Sequence, residues 1–219
     1  MKEIHRSLSV AVDVLIFTIE DEQMKIMLFQ RTKVPFSGVY SLPGVAVRED
    51  ETLDSAAERA IYERTGLRGI FAEQLYTFGE ISRDPRSRTI SVAYYAVTNI
   101  NNIAKEDIGD GAGLFPVDDV ISGRIPIAFD HRDMVKMGVD RVRSKTGYTD
   151  IAFEFVPERF TLPELQRIYE IILCEKLYKA NFRKMIAPKV EYTGDMLSGA
   201  AHRPSRIYRK ADTAERSVE

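Results

Sequence analysis

Before residue 149, the chain alternates between short apolar runs and two longer segments with helical spacing. Four runs rich in β-branched and aromatic residues are predicted to be strands: residues 7–17, 24–31, 71–78 and 89–97. Apolar residues three or four apart predict an amphipathic helix from about Asp50 to Thr65, ended by Gly66. A second helix is predicted to begin at Asp130, its N-cap, and to run to about Lys145. This alternation predicts an α/β fold in which helices flank a mixed sheet.

The remainder of the chain carries a different pattern, which predicts two more helices. The first is expected to begin with a capping box formed by Thr161 and Glu164, beside the hydrophobic pair Phe160 and Leu165. Apolar residues mark the second helix at Leu177, Phe182, Met185 and Ile186. This second helix must end before Pro188, because proline cannot continue a helix.

Turn-forming and small residues after the second helix predict a β-hairpin. Thr193 and Gly194 are expected to form a turn, small residues occupy 198–201, and the returning strand spans 205–209. Two helices followed by a basic hairpin are the pattern of a winged helix-turn-helix, although the third helix of such folds has no clear counterpart in the sequence. The chain is therefore predicted to divide into residues 1–148 and a winged module at 149–219.

Positive charge is concentrated in this winged module. Residues 176–210 contain nine Lys or Arg and two acidic residues, a net charge of +7, whereas the whole chain carries −2. Such asymmetry is expected of a DNA-binding face. The candidate DNA contacts are Lys179, Asn181, Arg183, Lys184, Arg203, Arg206 and Arg209. Arg183 is expected to read a base edge from the middle of its helix. A solvated basic surface, or a patch for an acidic partner protein, is the alternative interpretation.

The rest of the composition excludes several classes of protein. The single cysteine, Cys174, excludes an intrachain disulfide and favours a reducing cytosol, and it is expected in a helix core. The three histidines are far apart and lack zinc-ligand spacing. No apolar run approaches the ~18 residues of a membrane span, and the N-terminus lacks the apolar segment of a signal peptide. We therefore expect a cytoplasmic protein without a metal centre, a cofactor or a membrane association.

The helix that ends at Gly66 lies in a recognisable motif. Residues 42–67 read LPGVAVREDETLDSAAERAIYERTGL and resemble the Nudix hydrolase signature. In that signature the helix holds magnesium against a substrate pyrophosphate. Glu51, Arg59 and Glu63 match the signature when the two are aligned on Gly66, so the resemblance implies a Nudix scaffold.

Two glutamates of the signature are replaced in this chain. Ala60 and Arg64 stand at their positions, and Val45 replaces the opening glycine. Three carboxylates at positions 60, 63 and 64, which should share one helix face, would form an oxygen site for magnesium. Arg64 repels a divalent ion instead, since unit charges ~4 Å apart interact by about 4 kcal/mol at an effective dielectric of roughly 20. We therefore predict a vestigial box without catalysis; the alternative is that Glu63 and Arg64 are only solvated helix charges.

Arginines gather at one loop and one strand end before residue 149. Arg83, Arg86 and Arg88 lie in the loop, and with Arg31 they can supply forked donors for phosphate oxygens. Local ion pairs with Asp84 are the alternative. The candidate effector-binding residues are Arg31, Arg59, Glu63, Arg64, Arg83 and Arg88. Three aromatic residues either stack on a base or sugar or belong to the core: Phe36, Tyr76 and Phe78.

Taken together, these segments resemble the Nudix-related transcriptional regulators, the NrtR family. The resemblance covers nearly the whole chain, through the altered box, QLYTFGEISRDPRSRTISVAYYAV, IAFDHRD, and FTLPELQRIYEIIL with NFRKMI. It implies a Nudix α/β/α sandwich joined to a C-terminal winged helix-turn-helix, in a dimeric repressor of a palindromic operator. The effector that the resemblance implies is ADP-ribose or a related NAD metabolite, or a sugar such as arabinose.

Two other functions compete with a ligand-responsive repressor. One is an active Nudix hydrolase that cleaves ADP-ribose-like nucleoside diphosphate derivatives. The other is a Nudix scaffold that meets only protein partners. Salt-dependent, sequence-specific DNA binding separates the repressor from both, and magnesium-dependent turnover identifies the hydrolase.

Overall fold

The computed structural model describes residues 8–103, 111–199 and 202–211. The chain forms two compact units that divide at Val142 and Arg143, inside one helix. The first unit contains a mixed sheet with helices and the second contains the winged module, as the sequence predicted. The division lies shortly before residue 148, where the sequence places the domain boundary.

Within the described residues, the first unit has seven strands, three α-helices and a short 3-10 helix (Ile100–Asn102). The strands are β1 (Ser9–Glu20), β2 (Gln23–Gln30), β3 (Tyr40–Ser41), β4 (Gly44–Ala46), β5 (Phe71–Phe78), β6 (Thr89–Val97) and β7 (Ala112–Pro116). The helices are α1 (Leu53–Thr65), α2 (Val117–Ser122) and α3 (His131–Thr146). The strand order is β3-β2-β1-β6-β5, with β4 also paired to β1 and β7 to β2. β1 and β6 run parallel and the other pairs antiparallel, which confirms the predicted mixed sheet.

β1 is central because its apolar run is buried along most of its length. Every residue from Val12 to Ile19 is buried, including the charged Asp13. A strand covered on both faces is expected to show a nearly continuous apolar sequence. A carboxylate in such a strand needs hydrogen-bond or charge partners, because burying it alone is costly. Asp13 therefore marks a place where polar groups must converge.

α1 forms as the motif predicts, but its faces are used differently. The Thr52 side chain caps the N-terminus, and Gly66 ends the helix with a φ of 67°. Ala60 is fully buried in the apolar cluster under the helix. Positions 60, 63 and 64 lie three and four apart in this helix and so share one side, as predicted, but they differ in burial. The Ala60 methyl group packs into the core, while Glu63 and Arg64 are exposed.

α3 lies close to β1 because of one glycine. A Cβ atom at Gly138 would lie 2.8 Å from Leu15 Cδ2 and 3.0 Å from Phe17 Cζ, so a larger residue would push the helix away. The apolar residues that the sequence assigns to the buried side of α3 are buried: Met134, Val135, Val139 and Val142. This packing holds the start of the helix, residues 129–131, beside the sheet.

Within the described residues, the second unit contains two further α-helices and a three-stranded sheet. The helices are α4 (Leu162–Leu173) and α5 (Lys179–Ile186), and the strands are β8 (Phe160–Thr161), β9 (Val190–Gly199) and β10 (His202–Lys210). The strand order is β8-β10-β9. A 3-10 helix, Ile151–Phe155, buries four of its residues and supplies the third helical element. Five residues are too few to show helical periodicity, which is why the sequence did not reveal it.

The helix ends in this unit agree with the prediction at one place and differ at two. Thr161 and Glu164 form the predicted capping box at the start of α4. α5 begins at Lys179, so Leu177 precedes it. Cys174 is exposed and ends α4 in a left-handed conformation, with a φ of 55°. Its expected place in a helix core is therefore wrong.

The predicted hairpin is present, but its turn is elsewhere. Thr193 and Gly194 lie inside β9, which continues to Gly199, so the predicted turn at these two residues is wrong. The register between β9 and β10 shifts here, and the extra residues of β9 form a bulge. The Thr193 hydroxyl donates to the Ile207 carbonyl at 3.1 Å, which ties the bulge to the partner strand. Turn-forming residues therefore serve a bulge in this protein.

Candidate functional site

The first unit contains a cavity of about 360 Å³ between β1, β4, the start of α3 and the loop after β5. Its walls carry four arginines and two carboxylates: Arg31, Arg64, Arg83, Arg86, Asp13 and Asp84. A concave, polar site of this volume is suited to a small molecule. Which of these charges are already paired determines what the cavity can bind.

Arg83 is held in the wall by two carboxylates. Its side chain is only 4% exposed, and it donates to Asp130 from Nε at 2.9 Å and from Nη2 at 2.8 Å. Nη2 also lies 3.4 Å from Asp13 Oδ2, which accepts a hydrogen bond from Ser91 at 2.6 Å. Burial by itself lowers the pKa of Arg83, but the hydrogen bonds and charges of Asp130 and Asp13 raise it overall. Arg83 is therefore a charged, fully partnered part of the wall.

His131 completes this buried network. Its Nδ1 accepts a hydrogen bond from the Leu42 backbone N–H at 3.1 Å, which assigns the proton to Nε2. Nε2 lies 3.7 Å from Asp13 Oδ1. Burial lowers the pKa of His131 in spite of the nearby carboxylates. His131, the first residue of α3, is therefore a neutral imidazole that holds the backbone at Leu42 through this hydrogen bond.

Arg86 forms the local ion pair that the sequence allowed as an alternative. It donates to both carboxylate oxygens of Asp84, at 2.9 and 2.7 Å. These hydrogen bonds lower the pKa of Asp84. The Arg86 guanidinium carbon also lies 5.5 Å from the centre of the Phe129 ring. The Asp84 carboxylate is thus already engaged by a neighbour in its own loop.

Arg31 and Arg64 have no ion pair in the described part of the chain. Arg31 donates to the Pro35 carbonyl at 3.0 Å, and its guanidinium carbon lies 4.7 Å from the centre of the Phe129 ring. Burial and the charge of Arg86 lower its pKa. The Arg64 guanidinium carbon lies 5.7 Å from the centre of the Phe29 ring. Because Arg83 and Arg86 use the available carboxylates, these two arginines leave the cavity with positive charge that an anion can compensate.

Three other candidates lie outside the lining of this cavity. Arg59 donates to Glu51 at 3.0 Å and to the Ala46 carbonyl at 2.9 Å, and it also contacts Glu63 at 3.4 Å. The hydrogen bond from Arg59, with one from the Arg48 backbone N–H, lowers the pKa of Glu51 to about 2. Arg88 donates to a backbone carbonyl of its own loop. The structure therefore brings together Arg31, Arg64 and Arg83, but not Arg59, Glu63 or Arg88.

Sequence reasoning missed the residues at the base of the site, Asp13 and His131. Asp13 left a signal, because it is the one charged residue in the run from Val10 to Phe17. Of the aromatic candidates, Phe36 and Tyr76 are exposed, and the ring that Arg31 and Arg86 contact belongs to Phe129. None of the three aromatic candidates, Phe36, Tyr76 and Phe78, lines the cavity.

The residues present do not fit the magnesium site of a Nudix box. Both matching carboxylates, Glu51 and Glu63, are bound by Arg59, and positions 60 and 64 supply no oxygen ligand. Among the described residues there is also no group of three or more His, Cys, Asp or Glu placed to hold a metal. The described helices include none long and apolar enough to cross a membrane.

A second basic surface lies in the winged unit, where the nine Lys and Arg residues between 176 and 210 divide into those with and those without an ion pair. Four of them bind carboxylates: Lys176 binds Glu170, Lys189 and Lys210 bind Asp150, and Arg209 binds Glu191. Four others have no ion pair in the described part of the chain: Lys179, Arg183, Lys184 and Arg206. The side chain of Arg203 lies outside the described part. The unpaired cations therefore belong to α5 and to the neighbouring strand β10.

Three of these unpaired cations line one groove. It has a volume of about 850 Å³ and lies between α5, the start of α4 and the two strands of the hairpin. Lys179 and Arg183 contribute from the helix and Arg206 from β10. None of its lining residues, all within the described part, is acidic. Asn181 and Lys184 are exposed on α5 but do not line the groove.

Two family models match the chain and divide it as the fold does. The Nudix domain matches residues 9–137, and the NrtR DNA-binding winged helix domain matches residues 152–209. The ADPR responsive transcriptional repressor NtrR of Acinetobacter baylyi is 34% identical, over 91% of this chain and 81% of that protein. The ADP-ribose pyrophosphatase of Methanocaldococcus jannaschii is 32% identical, over 64% of this chain and 76% of that protein.

Solved structures of Shewanella oneidensis NrtR are similar to this fold. Its complex with a 27mer DNA has a TM-score of 0.84 and 31% identity, covering 92% of this chain and 93% of that one. Its Nudix domain complexed with ADP ribose has a TM-score of 0.54 and 30% identity, covering 65% of this chain and 93% of that one. Because both domains match in the same order and a relative above 30% identity spans most of the chain, this protein belongs to the NrtR family of Nudix-related transcriptional regulators.

Proposed function

We propose that this protein is a transcriptional repressor that binds operator DNA through residues 149–219 and responds to ADP-ribose bound by residues 1–148. The observation that carries the proposal is that the described winged unit holds a group of cations without ion pairs, and that they lie together on α5 and β10. Phosphate contacts of this kind supply most of the affinity for DNA. Two relatives support this assignment. The Acinetobacter protein is named an ADPR responsive transcriptional repressor, and Shewanella NrtR forms complexes with DNA and, through its Nudix domain, with ADP ribose.

The charge of the cavity favours an anionic effector over a neutral sugar. Arg31 and Arg64 are unpaired, and two phosphate groups of ADP-ribose can accept hydrogen bonds from both. A pentose such as arabinose would leave both guanidinium groups without a counter-charge. We therefore assign Arg31, Arg64 and the fixed Arg83 to the effector site. Arg59, Glu63 and Arg88 stay as predictions that no contact with the cavity supports.

Binding without hydrolysis is the expected behaviour of this site. The Nudix carboxylates are held by Arg59, and Arg64 places a cation where the family places a glutamate. Calorimetry with ADP-ribose should give the same affinity with magnesium or with a chelator. The alternative, an ADP-ribose hydrolase, is favoured by the identity to the Methanocaldococcus enzyme. Steady release of AMP in magnesium or manganese, faster than about 1 per second, would establish that alternative.

The operator is expected to be a palindrome bound by two copies of the chain. A symmetric dimer presents two recognition helices to major-groove faces separated by whole helical turns, about 34 Å apart or multiples of it. Gel shifts with duplexes from the protein's own promoter, with and without ADP-ribose, test the complete proposal. Salt-dependent binding that ADP-ribose changes supports it. Binding that ADP-ribose leaves unchanged contradicts the effector assignment, and the absence of DNA binding contradicts the proposal as a whole.

A further inference from the structure

α5 presents different chemistry on its two exposed sides. Phe182 and Ile186 are buried and fix which side of the helix faces the core. Lys179 and Arg183, one turn apart, point along the same side and line the groove next to β10. Asn181 is exposed and lies outside that groove. The cationic side of α5 and the side that carries Asn181 can therefore contact different parts of one ligand.

The groove has the properties of a site for a phosphate backbone. Lys179, Arg183 and Arg206 surround it without an acidic residue, and the Ser205 side chain adds a hydroxyl donor. The Arg206 guanidinium carbon lies 5.3 Å from the centre of the Tyr192 ring, which orients it. Phosphate contacts fix the position of a protein on a duplex without reading its sequence.

The other exposed side of α5 combines a short side chain with an amide. Ala180 and Asn181 are adjacent and both exposed, and Lys184 follows one turn later. An alanine allows the helix to approach base edges closely, and an asparagine can pair with N6 and N7 of adenine through two hydrogen bonds. Asn181 has no hydrogen-bond partner among the described residues, so its amide is available for such a pair.

These observations rest on the proposed DNA binding and refine it. We infer that Lys179, Arg183 and Arg206 hold the phosphates of one DNA strand in the groove, while Asn181 reads an adenine in each half-site. This assignment differs from the expectation that Arg183, as the mid-helix arginine, reads a base. Its position on the groove side, shared with Lys179 and Arg206, makes it a phosphate contact.

Selection from a random duplex library with the wild-type protein identifies the preferred sequence. Affinities are then measured by fluorescence anisotropy at several salt concentrations, for the selected duplex and for a scrambled duplex of the same composition. The variants are Arg183→Ala, Arg183→Lys and Asn181→Ala, all at exposed positions. Lys176→Ala is the matched control, because Lys176 is an exposed cation of the same unit that pairs with Glu170.

Arg183→Ala should weaken binding to both duplexes by the same factor and reduce the salt slope by about 2, one phosphate contact for each copy in the dimer, while Arg183→Lys keeps the slope. Asn181→Ala should weaken binding to the selected duplex roughly 5- to 150-fold for each half-site and leave the scrambled duplex and the salt slope unchanged. A selection repeated with this variant should no longer enrich the adenine. The assignment is overturned if Arg183→Ala changes the preferred sequence at constant slope, or if Asn181→Ala affects both duplexes alike. A wild-type selection without any enriched sequence would instead contradict the proposed repressor function.

Discussion

Replacing Asp130 with asparagine tests whether the cavity wall depends on a buried ion pair. The Arg83 side chain is 4% exposed, and Asp130 supplies both of its short hydrogen bonds. Asparagine has nearly the same size and, like aspartate, is favoured at the position before a helix, so the substitution removes charge at little cost to the start of α3. After the change, the asparagine oxygen can accept only one of the two hydrogen bonds from Arg83. The remaining carboxylate beside Arg83 is Asp13 at 3.4 Å, which already accepts a hydrogen bond from Ser91.

The expected loss follows from the cost of a buried charge without its partner. Removing one member of a buried pair costs 3–5 kcal/mol, and the remaining Asp13 should keep Asp130→Asn at about 3 kcal/mol. For a chain of this length that corresponds to roughly 6–12 °C in the melting temperature of the first unit. Denaturant unfolding followed by circular dichroism gives the free energy of unfolding directly.

Asp119→Asn is the matched control for this experiment. Asp119 also binds an arginine, Arg124, but the two side chains are 30% and 68% exposed. An exposed pair of this kind contributes less than about 1 kcal/mol, because water and salt screen it. If the two variants lose the same free energy, the network of Arg83, Asp130 and Asp13 does not hold the wall, and the argument for a fixed Arg83 fails.

Three further predictions concern the effector, pH and helix capping. Arg31→Ala should weaken the binding of ADP-ribose roughly 10- to 100-fold in calorimetry, because a charge-assisted hydrogen bond is lost, whereas Arg124→Ala, at an exposed arginine outside the cavity, should not; equal effects would contradict the site. Burial lowers the pKa of His131 below 6.5, so as the pH falls the imidazole is protonated in the unfolded chain before it is protonated in the folded chain. The free energy of unfolding should therefore fall as the pH drops below 6.5. His131→Gln should flatten this dependence, and an unchanged slope refutes the neutral imidazole. Thr161→Ala should cost the winged unit about 1 kcal/mol in denaturant unfolding, and a neutral result would mean that the capping box is not stabilising.

Local signals in the sequence were enough to place most of the helices and strands. The capping box of Thr161 and Glu164 and the glycine at 66 act within one helical turn, so their effect is visible in neighbouring residues. The bulge at Thr193 and Gly194 shows the limit of this approach. Turn-forming residues permit a reversal of the chain, but the pairing of β9 with β10 decides whether they make a turn or a bulge.

The candidate site was less predictable, because its pairs join distant parts of the chain. Arg83 and Asp130 are 47 positions apart, and Ser91 and Asp13 are 78 positions apart. Spacing along the sequence cannot reveal such partners, so Arg83 and Arg88 looked equivalent. The fold separates them, since Arg83 enters the buried network while Arg88 bonds within its own loop. The sequence could predict only that arginines would form the site. Which of them line the cavity depends on the tertiary structure.

The small net charge of the chain does not predict its ligands, because the fold determines which charges lie near each site. At physiological ionic strength the screening length is about 8 Å, so an anion responds to the charges near its site and not to their sum over the chain. In the first unit, Asp13, Asp84 and Asp130 are already paired, which leaves the charge of Arg31 uncompensated. In the second unit, Asp150, Glu170 and Glu191 bind cations away from the groove. A chain with a net charge of −2 therefore presents two local surfaces that attract phosphate groups.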